Sequence, residues 1–173
     1  MCARYESPDS VVLIDPQLWP DGDDAFLGLG ERVVRVLLTS PWHERDTRLI
    51  VDRYGASVWA PPTATWKGPP LTTTGDLPDG VEAIFPRGDL NQALFFFSDQ
   101  RTLFTGDVFS GTGGHFHVFM DEEDISDPEP FLDSLADLAE LPIERVLIAH
   151  GESIFEHGAE RLRKAVEEAL PTS

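Results

Sequence analysis

Short apolar runs recur along the chain, and each is ended by proline, glycine or ionisable residues. Runs of this length that are rich in β-branched and aromatic residues predict buried strands. They lie at 11–14, 33–39, 57–60, 81–85, 93–97, 102–105 and 145–149. The tetrapeptide 98–101 is short enough to join two of these runs as an antiparallel hairpin.

Helical spacing of apolar residues separates several of these runs. It predicts helices over 44–54, from Asp127–Pro128 onward and over 158–170, with one or two turns at 25–32. Gly55 is placed to end the first helix, and Asp127 and Pro128 are typical of a helix start. Segments 63–80 and 110–114 are predicted loops, rich in proline and threonine or in glycine. Residues 1–9 have no clear pattern.

Strands alternating with helices predict an α/β (α+β) fold, and 173 residues are enough for a single domain over 1–173. Four predicted strands end in polar residues: Asp15, the cluster 40–46, Asp107 and His150. Open α/β sheets bind ligands at the carboxyl ends of their strands. We therefore expect the functional residues of this chain at these four strand ends.

Charge excludes one class of partner. The formal net charge is −18, from 31 acidic and 13 basic residues, and only Lys67 and Lys164 are lysines. Because nucleic-acid affinity depends on cationic side chains at phosphates, we expect no nucleic-acid partner. No apolar run is long enough to cross a bilayer and the N-terminus lacks a signal-peptide pattern, so we expect a cytoplasmic protein with no membrane partner. Cys2 is the only cysteine, which excludes an intrachain disulfide.

The acidic, lysine-poor composition suggests the hypothesis of adaptation to high salt, where ions screen self-repulsion. We expect the melting temperature to rise between low and molar KCl. Thermal melts across a KCl series test this, and unchanged stability would contradict the hypothesis. A solubilising acidic surface without salt adaptation is the alternative.

Four motifs carry a family resemblance. Val-Leu-Ile-Asp-Pro at 12–16, Val-Leu-Leu-Thr at 36–39, Leu-Phe-Thr-Gly-Asp at 103–107 and Leu-Ile-Ala-His-Gly at 147–151 follow one another at suitable spacing. Together they resemble the metallo-β-lactamase superfamily of hydrolases. The resemblance implies a four-layer αβ/βα sandwich, trimmed at the N-terminus because members usually have further strands ahead of the first motif. It also implies one or two zinc or iron ions held by histidines and aspartates.

The metal motif of the family is largely replaced in this chain. The family turn reads His-x-His-x-Asp-His, and the corresponding positions hold Ser40, Trp42, Glu44 and Arg45. A further family histidine falls at Gly88, beside Asp89. Asp107 and His150 keep the expected identity, and His43 is one residue out of register.

Two function classes follow from this departure. A catalytic zinc needs about three protein ligands, and a fixed cation at Arg45 opposes a dication. The first class is a homologue that has lost most metal ligands, needs no cofactor and binds a small molecule or is structural; Ser40, Trp42, Arg45 and Asp89 would line its pocket. The second is a divergent hydrolase with one zinc, iron or manganese ion on His43, Asp107 and His150, with Glu44 a further catalytic candidate. We predict that Arg45 pairs with Asp107.

Several of these residues also have ordinary structural explanations. Asp107 and Glu44 suit helix or turn capping, His150 suits a structural hydrogen bond, and Trp42 suits a core or a pocket wall. His115 and His117, with Asp121 following, fit either a displaced metal site or simple alternation in a short strand. Serine catalysis by Ser40 and His150 is a remote third function, since Ser40 lacks a nucleophile-elbow motif. The sequence predicts neither a substrate nor an oligomeric state.

Overall fold

A computed structural model describes residues 3–18, 28–29, 31–61, 76–88, 91–120, 125 and 127–170. The chain divides into two compact units, and each is described by itself. The first unit comprises Met1–Pro61 with Trp66–Asp76, and the second comprises Pro62–Thr65 with Leu77–Ser173. The single domain over 1–173 stays a prediction. The predictions for 25–27, 30 and 63–75 lie outside the described residues.

A four-stranded sheet forms the first unit. Its strands are β1 (Ala3–Glu6), β2 (Ser10–Ile14), β3 (Val33–Leu37) and β4 (Ser57–Trp59), in that order across the sheet. β1 is antiparallel to β2, whereas β2, β3 and β4 are parallel. The sequence missed β1, whose alternating half-exposed residues form the sheet edge. The apolar runs at 11–14 and 33–39 contain strands as predicted. Val11 to Ile14 are buried throughout, whereas the second strand ends at Leu37 and its first residue, Val33, is exposed.

The first helix, α1 (Thr47–Tyr54), begins three residues later than predicted. The reason is local: 41–43 forms a single 3₁₀ turn, and Arg45 adopts a left-handed φ of 39° that no α-helix accommodates. Gly55, at φ 64°, ends the helix as predicted. Ile50 packs its fully buried side chain into the core of this unit with Val36 and Leu38.

A surface ion-pair cluster joins β1 to the segment before β3. The Arg32 guanidinium lies 2.5 Å from a carboxylate oxygen of Glu6, and Arg4 lies 2.7 Å from the other oxygen. The hydrogen bond from Arg32, followed by that from Arg4, lowers the pKa of the Glu6 carboxyl against the opposing effect of desolvation. Because the folded pKa is depressed, any stability this cluster contributes is present above the ordinary glutamate pKa and is lost in acid.

The second unit contains two sheets. The larger sheet has the order β10 (Arg145–Leu147), β7 (Thr102–Phe104), β6 (Leu94–Phe97) and β5 (Val81–Ile84). β6 and β7 form the predicted antiparallel hairpin, and β10 joins β7 in parallel. The smaller sheet has the order β11 (His150–Gly151), β8 (Phe109–Gly111) and β9 (His117–Val118). The predicted loop at 110–114 is therefore wrong in its first half, because Ser110 and Gly111 belong to β8.

Two helices complete the second unit. In α2 (Pro128–Asp137) the Asp127 carboxylate accepts a hydrogen bond from the Glu129 N–H, which confirms the predicted helix start. The last helix, α3 (Gly158–Ala169), is amphipathic as predicted, and its apolar face packs into the core of this unit. The buried set includes Leu94, Leu103, Phe109, Phe131, Leu135, Val146, Leu162 and Val166. Strands and helices in both units confirm the α/β class.

Among the described residues, every helix is too short or too polar to span a bilayer.

Candidate functional site

Asp15 organises the strand ends of the first unit. It follows β2 directly, is fully buried and has a left-handed φ of 47°, which aspartate tolerates better than most residues. Its Oδ1 accepts a hydrogen bond from the Thr39 N–H at 2.8 Å. Its Oδ2 accepts from the Thr39 hydroxyl at 2.6 Å and contacts His43 Nδ1 at 2.9 Å. One carboxylate thus ties the end of β2 to the end of β3 and to the turn that follows.

These contacts set the tautomer of His43. The single proton of the Thr39 hydroxyl is directed to Asp15, so toward His43 Nδ1, at 2.9 Å, this hydroxyl can only accept. The Asp15 carboxylate also only accepts. Nδ1 therefore carries a proton, and the neutral imidazole has its lone pair on Nε2. A carboxylate that orients a histidine in this way is typical of both metal ligands and general bases.

Glu44 and Arg45 follow His43, at two positions where the resemblance implies metal ligands. Glu44 Oε1 accepts a hydrogen bond from Arg48 Nε at 2.6 Å, so its carboxylate is engaged in an ion pair with a residue of α1. Arg45 is partly buried, and its Nη1 donates to the Asp15 carbonyl oxygen at 3.3 Å. The turn therefore holds a permanent cation against the end of β2. The predicted pair of Arg45 with Asp107 would join the two units and stays a prediction.

Ser40 and Trp42 occupy the other two positions of this turn. Ser40 is fully buried, and its hydroxyl makes no hydrogen bond within the described part of the chain. The Trp42 residue is 49% exposed, so the core interpretation of this residue is wrong, while a pocket-lining role stays a prediction. An indole N–H only donates, and an un-ionised serine hydroxyl is a weak metal ligand. Neither side chain replaces the histidines that the resemblance implies.

Asp107 and His150, the two residues that keep the family identity, come together in the second unit. Asp107 follows β7, and His150 begins β11. The Ala149 N–H donates to the Gly106 carbonyl at 3.1 Å and so fixes the two chain segments side by side. His150 Nε2 lies 3.2 Å from Asp107 Oδ1. The His150 side chain is 58% exposed and the Asp107 side chain 26%, whereas Asp107 Oδ1 itself is buried.

Sequence reasoning missed two supporting residues. The Gln92 side-chain oxygen accepts a hydrogen bond from the Asp107 N–H at 3.3 Å, and nothing in the local pattern of Gln92 predicts it. The sequence pattern predicts Thr39 only as the last residue of a strand. Its hydroxyl group, next to a cluster of polar residues at a strand end, is the feature from which a hydrogen bond to that cluster could have been predicted. Gly88 has φ 81° and lies on the turn after β5, whereas Asp89 and Asp121 lie outside the described residues.

The donor chemistry decides which metal centre these residues fit. Five positions that the resemblance assigns to ligands hold a buried serine, an indole, an ion-paired glutamate, an arginine and a glycine, so a dinuclear centre does not fit. Asp107 and His150 supply one carboxylate oxygen and one imidazole nitrogen within the second unit, and both donor types suit a single metal ion. His43, the third metal candidate from the sequence, belongs to the first unit, and its part in such a site stays a prediction.

No family model matches the sequence, and no curated protein matches it. Solved structures do match. ST1585, an archaeal metallo-β-lactamase superfamily protein from Sulfolobus tokodaii, aligns with a TM-score of 0.68 at 14% identity, over 98% of this chain and 80% of that one. TTHA1623 in a di-iron-bound form aligns with a TM-score of 0.69 at 22% identity, over 89% and 88%.

The DIM-1 metallo-β-lactamase aligns with a TM-score of 0.69 at 14% identity, over 98% of this chain and 87% of that one. The TM-scores establish the fold, whereas sequence identities this low leave the activity open. The alignment with ST1585 covers 98% of this chain and so includes nearly all of the part that carries the four strand-end motifs. The chain is therefore a divergent protein of the metallo-β-lactamase fold.

Proposed function

We propose that this chain is a metallo-β-lactamase-fold protein without the dinuclear metal centre, and that it serves as a non-metal ligand-binding or structural homologue of the hydrolases. The observation that carries the proposal is the turn at 40–46. There Arg45 is anchored to the Asp15 carbonyl, and Glu44 is ion-paired with Arg48. A guanidinium is charged at every physiological pH, so this turn opposes a dication under all conditions.

The ligand side of the proposal is a small molecule whose chemical class stays open. The strongly acidic composition of the chain disfavours large polyanions as partners.

Metal analysis tests the main proposal. We expect protein purified without chelator to contain well under one equivalent of zinc, iron or manganese per chain, because the fixed cation and the lost ligands lower the affinity. The measurement is inductively coupled plasma mass spectrometry, before and after incubation with Zn²⁺ and desalting. Two equivalents retained per chain would contradict the proposal.

A single-metal hydrolase is the second candidate, and the Asp107–His150 contact favours it. Two donor atoms bound to one ion at about 2.1 Å lie roughly 3 to 3.5 Å apart, and the observed separation of Nε2 and Oδ1 is 3.2 Å. Asp107 and His150 would hold the ion; His43, the third candidate from the sequence, belongs to the first unit and stays a prediction. A bound ion of this kind makes water more acidic and more nucleophilic at neutral pH.

The same metal analysis distinguishes the two candidates. One retained equivalent that is lost in His150→Ala, but kept in the matched surface variant His157→Asn, would establish the single-metal candidate and overturn the main proposal. His157 suits the control because it is exposed and has φ 58°, a left-handed conformation that asparagine adopts readily.

A further inference from the structure

Two histidines stack on one face of the smaller sheet of the second unit. His117 is the first residue of β9, and His115, with φ −120° and ψ 120°, is extended like a strand residue. Side chains two residues apart on an extended chain point to the same face. The two imidazole rings are accordingly almost parallel, at 7°, with their centroids 5.8 Å apart. The His115 side chain is 65% exposed.

A hydrogen bond fixes the tautomer of His117. Its Nδ1 lies 2.8 Å from the backbone carbonyl oxygen of His115. A carbonyl only accepts, so Nδ1 carries the proton and the neutral imidazole has its lone pair on Nε2. Histidines that ligate metals almost always donate their other ring N–H to such a carbonyl or to a carboxylate. His117 thus has the arrangement of a metal-ligating histidine.

A carboxylate from the last helix reaches the same place. Glu168 lies near the C-terminal end of α3, and its Oε2 is 3.3 Å from His115 Nε2. Its other oxygen, Oε1, is 3.7 Å from the Lys164 ammonium. His115 therefore contacts Glu168 on one side and stacks on His117, with a lysine that competes for the carboxylate.

We propose that His115, His117 and Glu168 form a surface site for one divalent transition-metal ion, of which Zn²⁺ is the test case. Two imidazole nitrogens and one carboxylate oxygen are a donor set that suits zinc, with water completing the coordination. To bind one ion, the exposed side chains of His115 and Glu168 must rotate toward Nε2 of the half-buried His117. The net charge of −18 favours cations near the surface. The site is distinct from Asp107 and His150.

Titration calorimetry with ZnCl₂ tests the site, in an Asp107→Asn/His150→Ala background that removes the retained strand-end pair. We expect one equivalent of Zn²⁺ to bind in this background, with an affinity low enough that desalting removes it. His117→Ala should weaken binding at least tenfold, because one of three ligands is lost. Glu168→Gln should weaken it less, and Lys164→Ala should strengthen it because the competing ammonium is removed. His157→Asn, which removes an exposed histidine elsewhere in the unit, should change nothing.

A second measurement uses the unaltered chain. Zn²⁺ should shift the ring-proton NMR signals of His115 and His117 at substoichiometric metal and leave those of His157 in place. Absence of binding in the background variant, equal affinity in His117→Ala and His157→Asn, or unshifted His115 and His117 signals would each overturn the site. The calorimetry uses a variant without Asp107 and His150. Its result therefore reports only on His115, His117 and Glu168, whereas the proposed function is tested by metal retention in the parent chain.

Discussion

Gly151→Ala is expected to destabilise the second unit by roughly 3 to 5 kcal/mol, from strain and overpacking together. Gly151 has φ 100°, and a Cβ at this position would lie 2.6 Å from both the Cα and the carbonyl oxygen of Gly111. Those atoms belong to the paired strand β8, so no side-chain rotation relieves the contact. The strand that carries His150 must therefore separate from β8. Urea unfolding followed by circular dichroism measures the loss.

Gly113→Ala is the matched control for this prediction. Gly113 also has a positive φ, 73°, but a Cβ there would meet nothing within 4 Å. Its substitution should cost only the backbone strain, about 1 kcal/mol. The difference between the two variants isolates the steric contact with Gly111. Equal losses in both would show that the close approach of β11 to β8 is not as described.

Asp15→Asn is expected to cost about 3 kcal/mol and to release His43. Three donors converge on the buried carboxylate: the Thr39 N–H, the Thr39 hydroxyl and His43 Nδ1. An amide keeps one acceptor oxygen and turns two N–H donors toward these groups. Asparagine tolerates the left-handed φ of 47° as well as aspartate does, so backbone strain does not confound the result. Urea unfolding measures the stability.

Asp9→Asn is the control for the charge change, because Asp9 is exposed and belongs to the same unit. We expect the free energy of unfolding of Asp9→Asn to stay within about 0.5 kcal/mol of that of the parent protein. The His43 imidazole supplies a second readout: ¹⁵N NMR should show a single Nδ1–H tautomer in the parent and a mixture in Asp15→Asn. A stable Asp15→Asn variant with an unchanged tautomer would contradict the role assigned to this carboxylate.

The main strands could be predicted because the hydrophobicity of their residues matches the burial of these strands in the structure. Val11 to Ile14 and Leu94 to Phe97 are buried throughout, and uninterrupted apolar runs predict such strands. The short strands β8, β9 and β11 could not be predicted, since they contain two or three residues each, among them glycine and histidine. Their pairing depends on which distant segment lies alongside, which local sequence does not encode.

The candidate site was predictable in part. Asp15, Asp107 and His150 stood out as polar residues that end strands, and the structure pairs the last two. The conformation of the turn at 40–46 was not predictable, because the left-handed φ of Arg45 is uncommon for a bulky side chain. The hydrogen bonds to His43 were missed for a related reason: they depend on where this turn places the imidazole relative to Asp15.

The Asp15 carboxylate both joins the ends of β2 and β3 and orients the His43 imidazole, which restricts how the chain can be redesigned. A mutant library selected for hydrolysis should keep Asp15 constant. A substitution there that made the His43 imidazole more reactive would also remove the hydrogen bond between Asp15 and Thr39 and so destabilise the sheet. Ser40, Trp42 and Arg45 occupy neighbouring positions of the turn and are the positions to randomise. Selection for hydrolytic turnover would then begin from a histidine that the scaffold already orients.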